Sequence, residues 1–218
     1  MSERARRLGA TAAGTDAAVP VAVGTVVLVA LTFAVVVHPG PLPGEIGWVR
    51  AGQRLGPPIP AVAEIVRVTT GTEAALLAGL VPATWAIVRH GWRGAAAAGI
   101  IAGSMLIVQP TTKEIVDRPR PAASQVEVRA GSSSAGYPSG HSLSSTALWG
   151  AVAGVALIHR RRAVAAAATV PIAANLVAPA VQGVHWPSDS VAGTLIGAGA
   201  ALLAVGVLMP HHLSLIHI

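Results

Sequence analysis

Long apolar runs dominate this sequence and decide what it can fold into. Residues from about 17 to 37 form an uninterrupted apolar run, and a helix needs roughly 20 such residues to cross a bilayer. Five further runs follow, at about 70–88, 94–109, 139–159, 163–181 and 190–209. Only 11% of the 218 residues are charged, whereas a soluble domain carries about a quarter. The sequence therefore predicts an all-α integral membrane bundle of six transmembrane helices.

The segments around the first run support a retained span. A cleaved signal peptide would have an apolar region of only about 7–15 residues, so we expect the first run to stay in the membrane. Residues 38–70 are mixed, and Ile46 and Val49 alternate there with Arg50 and Arg54. This pattern favours a short amphipathic helix on the membrane interface, with an ordinary ordered loop as the alternative.

The charge pattern predicts the orientation of the spans. Six spans place both termini on one side, and the N-terminus and the turns at 89–93 and 160–162 hold eight arginines and two acidic residues. The opposite side holds seven basic and seven acidic residues. Because basic residues in short loops favour the cytoplasm, we expect the arginine-rich turns to be cytoplasmic. The longer loop at 110–137 then faces outward from the cell membrane.

These boundaries divide the chain into three parts. Residues 1–16 are predicted to be a cytoplasmic tail, residues 17–209 the six-span domain, and residues 210–218 a C-terminal tail. That last tail is apolar and contains histidines but no arginine or lysine. It differs in this from the N-terminal tail and the two arginine-rich turns, which are predicted to lie on the same side. We expect it to be truncated or non-native.

Composition also excludes several function classes. The chain has no cysteine, so it has neither disulfides nor thiolate chemistry. The net charge of +6 follows the membrane topology, and no basic stripe with interleaved aromatic residues indicates nucleic acid. No group of histidine and acidic residues has the spacing of metal ligands. The sequence thus predicts that the protein has no nucleic-acid partner, no metal and no other cofactor. It contains no pattern from which the oligomeric state can be predicted.

Three polar clusters lie at predicted outer ends of the spans. They are Lys113 to Arg120, the sequence Ser139-Gly140-His141, and His185 with Asp189 four residues later. Each alone has a structural explanation: basic residues anchor span ends, Ser139 can cap a helix, and a His–Asp pair can close a loop. Together they suit phosphate chemistry. Cations and helix amides bind phosphoryl oxygens, one imidazole attacks phosphorus, and the other protonates the leaving oxygen.

The spacing of these clusters resembles that of a known family. Lys-x6-Arg-Pro, Pro-Ser-Gly-His at 138–141 and His-x3-Asp are similar to the motifs of the type 2 phosphatidic acid phosphatase (PAP2) superfamily of membrane lipid phosphatases. The resemblance covers predicted spans three to six. It implies that His185 is the nucleophile that forms a phosphohistidine, that Asp189 orients it, and that His141 is the general acid. It also implies a set of phosphate-binding residues, namely Lys113, Arg120, Ser139 and Gly140.

Two adjacent positions depart from the family pattern. The third motif of the family usually carries Ser-Arg, with the arginine six residues before the nucleophilic histidine, and here those positions are Ala178 and Pro179. Losing one such donor would cost roughly 2.7–4 kcal/mol of transition-state stabilisation. Arg118, as a possible auxiliary residue, or Arg129 could supply the missing cation.

The sequence therefore predicts a metal-independent lipid phosphatase at the outer face of the cytoplasmic membrane. Its substrate would be a phosphomonoester or pyrophosphate of a membrane lipid, of the phosphatidate, phosphatidylglycerophosphate or polyprenyl (undecaprenyl) pyrophosphate type. The alternative is a catalytically weakened relative that binds or transports a lipid phosphate, as the replacement by Ala178 and Pro179 suggests. A third interpretation resembles the vanadium-dependent haloperoxidases, but those are soluble, and six apolar spans argue against it.

Overall fold

The computed structural model describes residues 3–131 and 134–210, with side chains from residue 19 onward. All regular secondary structure in these residues is helical, which confirms the all-α prediction. The predicted C-terminal tail lies, from residue 211 onward, outside the described residues. The helices are α1 (Glu3–Val37), α2 (Glu45–Gln53), α3 (Ile59–Thr70), α4 (Thr72–His90), α5 (Trp92–Gly103), α6 (Gln109–Val116), α7 (Gly140–Ile158), α8 (Arg162–Val181) and α9 (Pro187–Leu208).

Five segments are long and apolar enough to cross a membrane. They are Val19–Val37 of α1, the continuous segment Trp92–Val116, α7, α8 and α9. The pair α3–α4 meets the same criteria only when taken together, and it bends by 58° between the two helices. The structure thus has five candidate spans, and the six of the prediction when the bent pair α3–α4 is counted as one broken span.

The mixed region before this break forms two helices. The amphipathic pattern around Val49 is indeed helical, as α2, and Val49 packs with Val126, Ala180 and Trp186 in a buried cluster. Helix α3 was not predicted, because its twelve residues include Glu64 and Arg67 and are too few to span a bilayer alone. Its Ala63 packs against Ala178 and Val181 of α8.

The third span extends beyond its predicted end at residue 109. The prediction of a polar loop over 110–137 is wrong for its first seven residues, because α6 continues to Val116. Pro110 does not end the helix, since it lies at the start of α6 and follows a π-helical turn, Ser104–Val108. In that turn the N–H of Gln109 donates to the carbonyl of Ser104, five residues earlier. The backbone hydrogen bonds of the helix are therefore already shifted by one residue before the proline. The helix ends at Asp117, which has a φ of 43°.

Close packing of α9 on α7 brings the polar cluster that begins at Ser139 against the one that contains Asp189. A Cβ added to Gly193 would lie 2.4 Å from the carbonyl oxygen of Ser139, and one added to Gly197 would lie 2.5 Å from that of Leu143. Small residues permit this backbone approach between membrane helices. As a result, the N–H of Ser139 donates to the carbonyl of Asp189 at 2.9 Å.

A proline in α8 is accommodated by its neighbours. Pro179 has no N–H to donate to the carbonyl of Asn175, four residues earlier. The hydroxyl of Ser142 in α7 donates to that carbonyl instead, at 2.9 Å, as membrane helices allow. The hydroxyl of Thr70, at the end of α3, donates to the Asn175 side-chain oxygen at 3.0 Å. Asn175 therefore ties α3, α7 and α8 together near the polar end of the bundle.

Candidate active site

The loop between α8 and α9 holds His185 inside the protein. The imidazole is buried, with His185 only 1% exposed. The carbonyl of Pro179 accepts hydrogen bonds from the backbone N–H groups of Val184, at 3.0 Å, and of His185, at 3.4 Å. Gly183 turns the chain there with a φ of 66° and lies against the Glu127 carbonyl, leaving no room for a Cβ. The position of His185 is thus set by backbone contacts.

Asp189 is fixed one turn after His185 at the start of α9. Its Oδ2 accepts the backbone N–H of Trp186 at 2.8 Å, an acceptor role that carboxylates commonly play at a helix N-terminus. The same oxygen lies 3.5 Å from Nδ1 of His185. Nδ1 has no hydrogen-bond partner among the described residues, so Asp189 is the group that faces it.

Arg120 determines which nitrogen of His185 carries the proton. Its Nη1 lies 3.1 Å from Nε2 of His185. A guanidinium only donates, so Nε2 presents a lone pair and the proton of neutral His185 is on Nδ1, towards Asp189. Burial of the imidazole lowers the pKa of His185 to about 4, and the charges of Arg120 and Lys113 act in the same direction against Asp189.

Lys113 and Arg120 share a set of backbone acceptors. Lys113 Nζ donates to the carbonyl of Ala135, and Arg120 donates through Nε to the carbonyl of Ser134 at 2.7 Å. Arg120 Nη1 also donates to the carbonyl of Val184 at 2.6 Å. Neutral carbonyls are weaker acceptors for cations than phosphoryl oxygens are. A bound phosphate could therefore replace them without separating any ion pair.

The Ser139–His141 sequence forms the first turn of α7. Ser139 is buried, and its hydroxyl accepts the N–H of Ser142 at 3.4 Å, so the predicted helix cap is confirmed. Gly140 packs against the amide of Gln109, where a Cβ would lie 2.8 Å from Nε2. His141 is half-buried, and it lines a narrow cleft together with Arg67 of α3.

Arg118 and Arg129, considered as replacement cations, have other partners. Arg118 is completely buried, and its Nη1 donates to Asp189 Oδ1 at 2.5 Å while its Nη2 donates to Glu45 at 2.8 Å. Arg129 pairs with Glu127 at 2.9 Å. Glu45 also accepts the N–H and the hydroxyl of Ser188.

Sequence reasoning missed Glu45 and Arg67. Glu45 lies more than 140 positions before Ser188 in the chain, and Arg67 belongs to a helix that was not predicted. No local pattern marks either of them as part of the site.

The predicted site residues converge at one end of the bundle. They come from the end of α6, the start of α7 and the turn between α8 and α9. The charges of Lys113 and Arg120 act on His185, and His141 lines one cleft with Val184, the neighbour of His185. Within residues 3–131 and 134–210, no three histidine or acidic side chains form a candidate metal site.

The model of the PAP2 superfamily matches residues 93–211 of this chain, which is more than half of its length. The chain belongs to the PAP2 superfamily. Its fold is similar to that of a transmembrane PAP2-type phosphatidylglycerolphosphate phosphatase from Bacillus subtilis, with a TM-score of 0.72 and 18% sequence identity. The match covers 85% of this chain and 94% of the other. No curated protein matches the chain. The family assignment and the multi-pass membrane fold predicted from the sequence are confirmed.

Proposed function

We propose that this PAP2 protein hydrolyses a phosphomonoester or pyrophosphate of a membrane lipid through a phosphohistidine intermediate. The arrangement of His185 supports the proposal most directly. Its Nε2 lone pair lies beside the guanidinium of Arg120, and its Nδ1 faces the carboxylate of Asp189. An imidazole held neutral, oriented on one side and flanked by a cation on the other is a suitable nucleophile for an electron-rich phosphoryl group.

In the first step, His185 Nε2 attacks phosphorus and the bond from phosphorus to the leaving oxygen breaks. His141 donates a proton to that oxygen, which leaves as a lipid alcohol or a lipid phosphate. Lys113 and Arg120 stabilise the charge on the phosphoryl oxygens. Asp189 stabilises the cationic phosphoimidazole through the Nδ1 proton.

In the second step, water attacks phosphorus on the side opposite His185. His141, now neutral, accepts a proton from this water and returns to its protonated state. The bond between phosphorus and Nε2 breaks, its electrons return to the imidazole, and inorganic phosphate leaves. Both steps use the same residues, and the proposal needs no metal ion. Metal independence stays a prediction that an assay with a chelator checks.

A lipid substrate is proposed from the position of the site. The cations and both histidines lie at helix ends of a protein whose spans expose many large apolar side chains, so a headgroup could reach them while its acyl or prenyl chains stay in the bilayer. The arginine-rich turns are at the opposite end, which by the positive-inside rule would be cytoplasmic. We therefore propose that the site faces outward from the cytoplasmic membrane.

The test is phosphate release from lipids in detergent, with a chelator present. The panel holds phosphatidate, phosphatidylglycerophosphate and undecaprenyl pyrophosphate, and the wild type is compared with His185→Ala. We expect the wild type to release phosphate from at least one lipid and His185→Ala to release none. Acid-labile, base-stable labelling of the wild type by a ³²P-phosphorylated substrate would identify the phosphohistidine. Equal release by both proteins contradicts the mechanism.

A second candidate function is lipid-phosphate binding or transport without turnover. The observation that favours it is Pro179, which stands where the family usually places an arginine. In that case wild type and His185→Ala would bind phosphate equally well, and neither would release it from any lipid in the panel. Turnover restored by Pro179→Arg alone would support this candidate over the phosphatase.

A further inference from the structure

Arg67 lies beside the gap left by the substituted motif. It is in the last turn of α3, and it lines a narrow cleft that is too tight to hold a water molecule in this structure. Three helices and the His185 loop form this cleft. Besides Arg67, it is lined by His141, Asn175, Ala178, Pro179 and Val184.

The α8 wall of the cleft offers no cation. Ala178 and Pro179 contribute apolar side chains there, and the Pro179 carbonyl is already bonded to the backbone of the His185 loop. The cation that lines the cleft is Arg67, and His141 lines it too. Val184, the neighbour of His185, completes the lining. Arg67 thus lies beside the residue predicted as general acid and beside the loop that holds the predicted nucleophile.

Arg67 is also available for a ligand. Its Nε and Nη2 donate to Glu64, at 2.8 Å and 2.5 Å, whereas Nη1 donates to no atom among the described residues. The side chains of Arg67 and Glu64 are 34% and 45% exposed. An exposed pair of this kind is screened by solvent and contributes little to stability. A phosphoryl group could therefore recruit the guanidinium at small cost.

We propose that Arg67 is a third phosphate-binding cation of this site, supplied by α3 in place of the arginine that α8 lacks. The inference deepens the proposed function and rests on it for the identity of the ligand. Arg67 lines one cleft with His141. The last turn of α3 would thereby complete the phosphate cradle beside the proposed general acid. A planar guanidinium suits this role because it donates to two phosphoryl oxygens at once.

The first experiment compares Arg67→Gln with a matched control, Arg54→Gln. Arg54 is an exposed arginine on the same side of the membrane, near the end of α2, so its loss changes the net charge equally. We expect kcat/KM for the best lipid to fall roughly 100-fold in Arg67→Gln and to change less than twofold in Arg54→Gln. Arg67→Lys should recover only part of the loss, because an ammonium lacks the fork geometry. Wild-type kcat/KM in Arg67→Gln would overturn the proposal.

The second experiment moves the arginine back to α8. Pro179→Arg in the Arg67→Gln background places a guanidinium on the other wall of the same cleft. We expect this double variant to regain at least tenfold in kcat/KM over Arg67→Gln, whereas a purely structural role of Arg67 would give no rescue. All these variants keep the α3 backbone, so the comparison isolates the Arg67 side chain.

A binding measurement separates this inference from the proposed reaction. Inorganic phosphate is titrated by calorimetry into His185→Asn, which lacks the nucleophile, and into His185→Asn combined with Arg67→Gln. We expect affinity to drop about tenfold or more when Arg67 is removed. If the wild type releases phosphate from no lipid but Arg67 still governs phosphate binding, the phosphatase proposal fails and this inference stands. Equal affinities would refute it whatever the wild type hydrolyses.

Discussion

Arg118 and His185 face different oxygens of the same carboxylate. Asp189 Oδ1 accepts Nη1 of Arg118 at 2.5 Å, and Asp189 Oδ2 lies 3.5 Å from Nδ1 of His185. On its other side, Arg118 pairs with Glu45 at 2.8 Å. A buried chain of alternating charges therefore runs from α2 to the proposed nucleophile. In such a chain, the arrangement of each member depends on the next.

Arg118→Met is expected to lower both stability and turnover. It leaves Glu45 and Asp189 buried without their partner, and breaking a buried ion pair costs about 3–5 kcal/mol. The carboxylate would then lose its orientation towards His185. We expect kcat per folded molecule to fall while KM changes little, because Arg118 supports the nucleophile rather than the phosphate. Thermal unfolding in detergent and steady-state kinetics check the two effects, with Arg54→Met as the control. A KM effect as large as that of Arg67→Gln would instead place Arg118 among the phosphate ligands.

The buried imidazole predicts a specific dependence on pH. In the folded protein the pKa of His185 is lowered to about 4, whereas it is about 6.5 in an unfolded chain. The folded state therefore resists protonation, and the stability linked to His185 is present above pH 6.5 and is lost as the pH falls towards 4. Melting temperatures of wild type and His185→Asn between pH 7 and pH 4 measure this difference. The wild type should lose more stability over that interval, and equal losses would contradict the lowered pKa.

The lowered pKa of His185 also predicts how the rate of the proposed reaction depends on pH. Because the pKa of His185 in the free protein is lowered to about 4, the proposed nucleophile stays neutral at pH 5, and the acid limb that it sets in kcat/KM should lie near pH 4. An acid limb near pH 6.5 would mean that the imidazole titrates as an exposed histidine does.

The sequence alone was enough to predict the membrane helices and the proximity of His185 to Asp189. Apolar runs identify membrane helices because the bilayer requires a fixed length, and the spacing of His185 and Asp189 keeps them within one turn. Helix α3 was missed for the converse reason. It is short and carries Glu64 and Arg67, and it is held by packing on α8 rather than by length or composition.

The rest depends on contacts between distant parts of the chain. Glu45 and Arg67 enter the site only through tertiary packing, so no local spacing reveals them. The end of the third span was misplaced because Pro110 reads as a helix break, whereas the π-helical turn before it lets the helix continue to Val116.

The contact of α9 with α7 predicts a large difference between two glycines of one helix. Gly193→Ala would place a methyl group 2.4 Å from the Ser139 carbonyl, whereas Gly199→Ala meets no atom within 4 Å. Such overpacking costs about 1–3 kcal/mol, while alanine in an open helical position gains about 0.5–1 kcal/mol over glycine. We expect Gly193→Ala to lower the melting temperature and the rate of phosphate release. Gly199→Ala should lower neither, and a loss of activity there would point to a partner on that face.

The orientation in the membrane can be measured by labelling introduced cysteines, because the chain has no cysteine of its own. Ser124→Cys lies in the loop after α6, and Arg161→Cys lies in the turn between α7 and α8, and both positions are exposed. A membrane-impermeant maleimide applied to intact spheroplasts should label Ser124→Cys and spare Arg161→Cys. Permeabilised membranes provide the control, since both positions should react there. The reverse pattern in spheroplasts would place the site on the cytoplasmic side.

The hydroxyl of Ser142 is expected to matter because of Pro179. Ser142 donates to the Asn175 carbonyl that the proline leaves without a helical donor, and an unsatisfied buried carbonyl costs about 1–3 kcal/mol. Ser142→Ala should therefore destabilise the wild type by that amount and cost clearly less in Pro179→Ala, where the backbone N–H returns. Ser145→Ala is the control, since the Ser145 hydroxyl is buried in the same helix without a partner in the described part of the chain. Equal costs of Ser142→Ala in both backgrounds would show that the proline and the hydroxyl act independently.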